Sequence, residues 1–379
     1  MNPSTDRILT THTGSLPRPP DLAQMVFDHD DGKSVPGFED RVREAVTEIV
    51  KRQRELGVDV VNDGEQGKIS YATYIKERLT GFEGEPVGLA PADVLAHPDF
   101  GQRMASLMSS IRIVQPSCTG DVTLKDPDAV HHDIANLKAA AEAAGAERVF
   151  MTAASPGVVA MFFGNKHYPT REAYLAAIAD AMRQEYRAIA EAGFILQLDC
   201  PDLGAGASVS VDADGDPKTT RRQVAEAIEA LNHAVQDIPA EQLRMHLCWG
   251  NYEGPHDRDV ELKDIVDLVL QAKPAGIAVE ACNPRHAHEW EVFKDVELPA
   301  DKYLIPGVID STNNYVEHPR LIAQRLGNYA RLVGRERVMA GSDCGFGTFV
   351  GQDVVVPSVT WSKFEAMAQG AEIASRELW

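Results

Sequence analysis

At 379 residues, 44% hydrophobic and 25% charged, the chain can bury a large core. A net charge of -20, from 37 basic and 57 acidic residues, excludes nucleic acid and anionic membrane surfaces as expected partners, since both need a basic footprint. No apolar run reaches the ~20 residues of a membrane span, Met1 to Arg7 has no apolar signal core, and the cysteine count of five is odd. A reducing, cytoplasmic setting with free thiols is therefore expected.

Taken in chain order, residues 8–20 contain Thr11-His12-Thr13-Gly14-Ser15 followed by prolines and read as a loop. Val42, Val46, Ile49 and Val50 mark one face of a helix over Glu39–Leu56, ended by Gly57. Val58–Asn62 is the first predicted strand, running into Asp63-Gly64-Glu65. Residues 68–110 carry no clean period. The second predicted strand is Ile111–Gln115, ending in Ser117-Cys118. Strands follow at Arg148–Thr152, Phe194–Pro201, Arg244–Gly250, Gly276–Cys282 and Tyr303–Asp310; an eighth starts at Val338 and runs into a glycine-rich turn, with Asp343 and Cys344 at the junction. Helices are predicted at His132–Ala144, Thr170–Ala192, Thr219–Val235, Glu261–Gln271, Glu317–Leu332 and Ser362–Glu377.

Eight apolar strands separated mostly by helices suit a parallel sheet buried on both faces, and eight is the count of a (β/α)8 barrel. The expected fold is thus α/β, a (β/α)8 TIM barrel, with residues 1–379 as one catalytic domain and residues 1–50 decorating it. An open, doubly wound sheet is the alternative; no Gly-x-Gly-x-x-Gly follows the first strand to support it.

Barrel active sites lie at the C-terminal ends of the strands. Those ends collect Asp63, Glu65, Gln115, Ser117, Cys118, Asp199, Cys200, His246, Cys248, Glu280, Cys282, Asp310, Asp343 and Cys344. His246 and Cys248 are two apart on a strand and leave the same face. An imidazole and a thiolate on one face make half of a tetrahedral zinc site, and Cys344 and Glu280 can complete it. Cys282, two residues from Glu280, is a rival ligand. A sulfur-rich shell weakens the metal's pull on water and leaves a bound thiolate electron-rich, which leans toward thiol alkylation. By strand alternation Asp343 faces away from Cys344 and is expected either to support the site from behind or to be structural.

These residues resemble the cobalamin-independent methionine synthase family, in its C-terminal catalytic barrel. The pieces occur in family order over almost the whole chain: Thr13-Gly14-Ser15, Asp63-Gly64-Glu65, Gln197-Leu198-Asp199, His246-x-Cys248, Glu280, Pro306-Gly307-Val308-x-Asp310 and Asp343-Cys344-Gly345. The resemblance implies Zn2+ on His246, Cys248, Glu280 and Cys344. It implies substrate binding by Gly14, Ser15, Glu65, Asp199 and Ser117, and catalytic roles for Asp310 and Asp199. Two carboxylates can grip an ammonium group, and loop N–H groups can receive a carboxylate.

The sequence departs from the family in two places. Where the family has Asp-x-His, with the His as proton donor, this chain reads Asp310-Ser311-Thr312. The family's folate-stacking Trp falls near Met161-Phe162-Phe163. The expected function is zinc-dependent transfer of an alkyl group, in the family a methyl group, to a small-molecule thiol. The alternatives are epoxide opening by a thiolate, as in epoxyalkane:coenzyme M transferase-like single-barrel relatives, and a zinc-free decarboxylase, lyase or binding barrel. His12, His256, His286, His288 and Tyr252 are candidates for a proton donor. Helix faces leave open whether the chain forms a homo-oligomer.

Overall fold

The computed structural model describes residues 4–86, 88, 91–107, 114–206, 216–352 and 354–379. Its strands are β1 (Val60–Val61), β2 (Phe82–Gly84), β3 (Ser117–Cys118), β4 (Arg148–Ala154), β5 (Ile195–Cys200), β6 (Leu243–Leu247), β7 (Gly276–Val279), β8 (Tyr303–Ile309) and β9 (Gly341–Ser342). Seven of them form one parallel sheet in the order β1-β4-β5-β6-β7-β8-β9. The predicted barrel strands 148–152, 194–201, 244–250, 276–282 and 303–310 therefore exist, with ends shifted by up to three residues.

The eighth strand position is not the one the apolar pattern suggests. Of the predicted second strand, residues 111–113 lie outside the described residues. Ser117 and Cys118 pair antiparallel with Phe82 and Gly84, apart from the barrel sheet. The ring is closed instead by residues 9–11. Ala340 N–H donates to Leu9 O and Thr11 N–H to Ala340 O, both at 2.8 Å, while Asp59 and Val60 N–H donate to Thr10 O at 3.1 Å. The segment expected to be a loop thus lies between the last and first strands, parallel to Ala340. Ser15 to Pro20 keeps its proline-rich turn before the helix Pro20–Asp30.

Two cores follow from strand alternation. Outward side chains pack under the helices, among them Phe38–Glu55, Arg171–Glu191 and Pro319–Val333. Inward side chains Leu9, Val60, Phe150, Ala278, Tyr303, Ile305 and Met339 fill the base of the barrel. Arg244 also points into that base, 1% exposed. Its Nη1 donates to Thr11 Oγ1 and its Nη2 to His12 O, both at 2.9 Å, and its guanidinium lies 3.6 Å from the Phe150 ring centre. Gly276 makes the room, since a Cβ there would come within 2.7 Å of both Arg244 and Tyr303. This arginine ties the closing strand to the opposite wall. Burial lowers its pKa to about 10.

Thr170 caps its long helix as its position before Glu172 suggests, accepting from Ala173 N–H at 3.2 Å. The predicted helix Glu261–Gln271 is shorter, broken into a 3-10 turn at Leu262–Asp264 and one helical turn at Val266–Val269. Among the described residues no helix is long and apolar enough to cross a membrane.

Candidate metal centre

The register of the sheet brings the site together. Asp199 on β5 lies opposite His246 on β6, so both emerge one layer above Gln197 and Arg244. Two residues on, Cys248 leaves the same face. Cys344 arrives from the turn after β9, and its Sγ is 3.9 Å from that of Cys248. His246, Cys248 and Cys344 each offer a ligand atom, all within 4.8 Å of one another, and all three residues are buried. They form a group able to hold a metal ion.

The donor chemistry fits a soft divalent ion. Neither ring nitrogen of His246 has a hydrogen-bond partner although the residue is 2% exposed; leaving such a group unsatisfied is costly unless something coordinates it. Burial and then the Arg244 charge hold the His246 pKa down at about 3, so the imidazole is neutral and its lone pair available. Cys344 beside it, then burial, push the Cys248 thiol well up, which a cation would reverse.

Glu280 stands outside this three-residue group. Its two oxygens accept from Trp249 N–H at 2.8 Å and from Asn283 Nδ2 at 3.0 Å. Its charge is nonetheless felt at Cys248. Cys282 is not a rival. The chain leaves β7 at Val279, so alternation no longer holds, and the Cys282 thiol lies 2.8 Å from Arg325 Nη1 on the outer side. Asp343 is structural, as strand alternation suggests. Its carboxylate accepts from the N–H groups of Ala281, Cys282 and Asn283 at 2.7–3.1 Å and so shapes the turn that carries Glu280. Asp343→Ala is expected to lower unfolding free energy by about 3 kcal/mol in urea titrations, from three buried N–H groups left unpaired; Asp343→Asn should cost less.

Above the group opens a cavity of about 390 Å³. Ser15, Glu65, Asp199, His246, Cys248 and Cys344 all line it. Glu65 sits at φ +55°, a left-handed backbone that a non-glycine residue rarely adopts, and its N–H is held by Asp63 Oδ1 at 3.0 Å. Its Oε1 accepts from Thr152 Oγ1 at 2.9 Å, and its buried Oε2 has no partner. Asp199 Oδ1 accepts from Gln197 Nε2 at 2.8 Å. Burial raises both carboxyls: Glu65 against the nearby Lys68 and Arg18 charges, Asp199 further because Glu65 faces it.

Gly14 does not line the cavity but makes room for Glu65. A Cβ at Gly14 would come 2.6 Å from Glu65 Oε1 and 2.7 Å from Thr152 Cγ2. Gly14→Ala should therefore displace the carboxylate; if the cavity takes the amino-acid thiol that the family resemblance implies, its binding should weaken on the order of 10–100-fold by titration.

Two expected site residues are placed elsewhere. Ser117 is buried on β3, off the barrel sheet and away from the cavity; Gln115 lines the wall instead. Asp310 is turned into its own loop, accepting from Thr312 N–H and Oγ1 and from Asn313 Nδ2 at 2.6–2.7 Å. Short polar side chains just beyond it offer local partners, so its carboxylate closes a turn. Of the histidines weighed as proton donors, His12 is buried against Gln53, and His256 and His286 share Asp259. None of the three lines the cavity, whereas Tyr252 does. Sequence reasoning missed Tyr71 and Phe349, which line the wall beside Phe162; they fall in stretches with no period to mark them.

The chain is similar to known proteins over almost its whole length. The family model described as "Cobalamin-independent synthase, Catalytic domain" matches residues 8–363. A methionine synthase of Saccharolobus solfataricus is 24% identical over 377 residues, covering 97% of this chain and 95% of that one. One of Sulfurisphaera tokodaii is 24% identical over 374 residues, covering 97% and 93%. Among solved structures, a B12-independent methionine synthase from Shewanella sp. W3-18-1, in complex with selenomethionine, superposes with a TM-score of 0.74 at 19% identity, over 98% of this chain and 99% of that one. The putative vitamin-B12 independent methionine synthase of Listeria monocytogenes gives a TM-score of 0.66 at 18% identity, over 99% of both chains. These two share the (β/α)8 fold.

Proposed function

Since the chain belongs to the cobalamin-independent synthase catalytic-domain family, we propose that it is a zinc enzyme that transfers a methyl group to the sulfur of a small amino-acid thiol of the homocysteine class. The observation that carries this reading is the buried His246, with both ring nitrogens unpartnered, beside two thiols 3.9 Å apart. His246, Cys248 and Cys344 would hold the ion, with Glu280 as fourth ligand once its carboxylate turns from Asn283. Bound zinc supplies the positive charge that keeps an acceptor thiol deprotonated at neutral pH.

The chain's own residues do the rest. Glu65 and Asp199 would receive the substrate ammonium, and the Ser15 turn its carboxylate. The apolar wall above them excludes water, so the acceptor sulfur keeps its nucleophilicity. The reaction is assigned to one catalytic unit in the cytoplasm, where the five free cysteines remain thiols. Epoxide opening with a sulfonate-bearing thiol is less well served, because no lysine or arginine lines the cavity among the described residues. A decarboxylase acting on several carboxylates meets the same lack.

The test is metal analysis followed by a thiol panel of homocysteine, coenzyme M, glutathione and a small uncharged thiol. Zinc-edge spectra should gain a sulfur ligand with homocysteine. A metal shell that never gains sulfur with any thiol would remove this mechanism.

A further inference from the structure

We propose that the methyl donor is an onium compound, a methylated sulfonium or quaternary ammonium, seated against an aromatic wall made by Tyr71, Phe162 and Phe349. The proposal rests on the thiol-methylation reading above and names the donor class for the same cavity.

The three rings form a contiguous patch. Tyr71 stands edge-on to Phe162, with centroids 5.7 Å apart at 83°, and to Phe349, 5.8 Å apart at 69°. Phe162 and Phe349 lie 6.4 Å apart at 32°. All three line the cavity that holds Cys248 and Cys344. A cation over an aromatic face is attracted by the ring quadrupole, and an onium ion, with its charge spread over methyl groups, gives up little hydration to reach it.

The charges around the wall point the same way. The ionisable side chains lining the cavity among the described residues are Glu65, Asp199, His246, two cysteines and two tyrosines. The cations whose charge reaches this lining are engaged: Arg244, one layer below His246, donates to Thr11 Oγ1 and His12 O. Lys68 Nζ donates to Thr152 O at 2.8 Å and lies over the Tyr74 ring, and Arg18 donates to Gly347 O, Glu65 O and Lys68 O. An anionic donor would meet no lysine or arginine on this lining among the described residues; a cationic one meets three aromatic rings.

The leaving group completes the case. The acceptor thiolate's lone pair forms the new S–CH3 bond, and the old C–S+ or C–N+ bond breaks with its pair moving to the heteroatom. The products are a thioether and a neutral sulfide or amine, so the charges cancel and no proton is required. A neutral amine donor would leave as an anion and need an acid. Position 312, where the family resemblance places an imidazole, holds a threonine whose hydroxyl donates to Asp310.

The experiment uses the metal-loaded full chain. Choline and the trimethylsulfonium ion are titrated beside the uncharged choline isostere 3,3-dimethylbutan-1-ol, in the wild type and in Phe162→Leu and Phe349→Leu. Wild type should bind the onium ions about 3–30-fold tighter than the isostere, and the leucine variants should lose that margin while binding the isostere as before. Transfer to homocysteine is then followed from a methylsulfonium, a methylated quaternary ammonium and a methyl-folate donor; the two onium arms identify which ion is used. Equal binding of onium and isostere in the wild type, or transfer from the folate alone, overturns the proposal. Homocysteine entry is read separately, without donor, from the metal-edge spectrum. If sulfur enters the shell and both onium arms are silent, only the donor assignment fails; if sulfur never enters, the underlying reading fails with it.

Discussion

Cys344→Ser is expected to empty the metal centre and lower methyl transfer by at least ~100-fold, a loss at or beyond the upper range for disturbing a metal's surroundings. The hydroxyl is close to the thiol in volume, so the fold should survive with little change in unfolding midpoint. What changes is softness and charge: a serine hydroxyl stays protonated and neutral where a thiolate would bind zinc at ~2.3 Å. Cys248→Ser should behave alike, since the two sulfurs are 3.9 Å apart and both flank His246. Elemental analysis and thermal unfolding measured on the same samples decide the matter. Full metal occupancy in both variants would show that the ion sits elsewhere.

The second large effect concerns the paired carboxylates. Glu65→Gln or Asp199→Asn should weaken binding of an amino-acid thiol by ~10–150-fold, the range for losing a charge-assisted hydrogen bond, while a thiol lacking the ammonium group is bound equally by all three proteins. Binding should also depend on pH in a definite direction. Burial, and for Asp199 also the Glu65 charge, raise these carboxyls in the free protein. An ammonium ion binds their ionised form, so affinity rises as pH climbs from the ordinary carboxylate range through the raised values. The sign for stability is opposite. Without ligand, the folded state holds these protons more tightly than the unfolded chain does. The two groups therefore favour folding at low pH, and that contribution is lost as pH rises through the same window. Glu65→Gln removes the charge facing Asp199 and should shift the binding profile to lower pH. Calorimetric titration between pH 4 and pH 8, with the proton count read from buffers of different ionisation enthalpy, measures both. A flat profile in the wild type would remove the carboxylate pair from substrate binding.

Much of this site is legible in the residues alone because it lies on regular strands. Two-residue spacing still sets Cys248, one residue past the end of β6 at Leu247, beside His246, and parallel pairing places Asp199 next to them. The same spacing does not carry past β7. Glu280 and Cys282 lie beyond Val279, the end of β7, and a period of two no longer says which one turns inward. Asp310 fails for a different reason: its nearest polar partners are two and three residues away, and local hydrogen bonds win over reach into the cavity.

By itself the sequence pointed to a parallel α/β barrel and to His246 and Cys248 on one face, through periodicity and residue type, and to the family through motifs in a shared order. Only the tertiary structure decided that residues 9–11 lie between the last and first strands, because a strand held by backbone hydrogen bonds at its edges needs no long apolar run to announce it. The tertiary structure also brought Tyr71, Phe162 and Phe349 onto one wall beside the thiols. Residues so far apart in the chain become neighbours only when the barrel closes, and no local pattern encodes a distance of that kind.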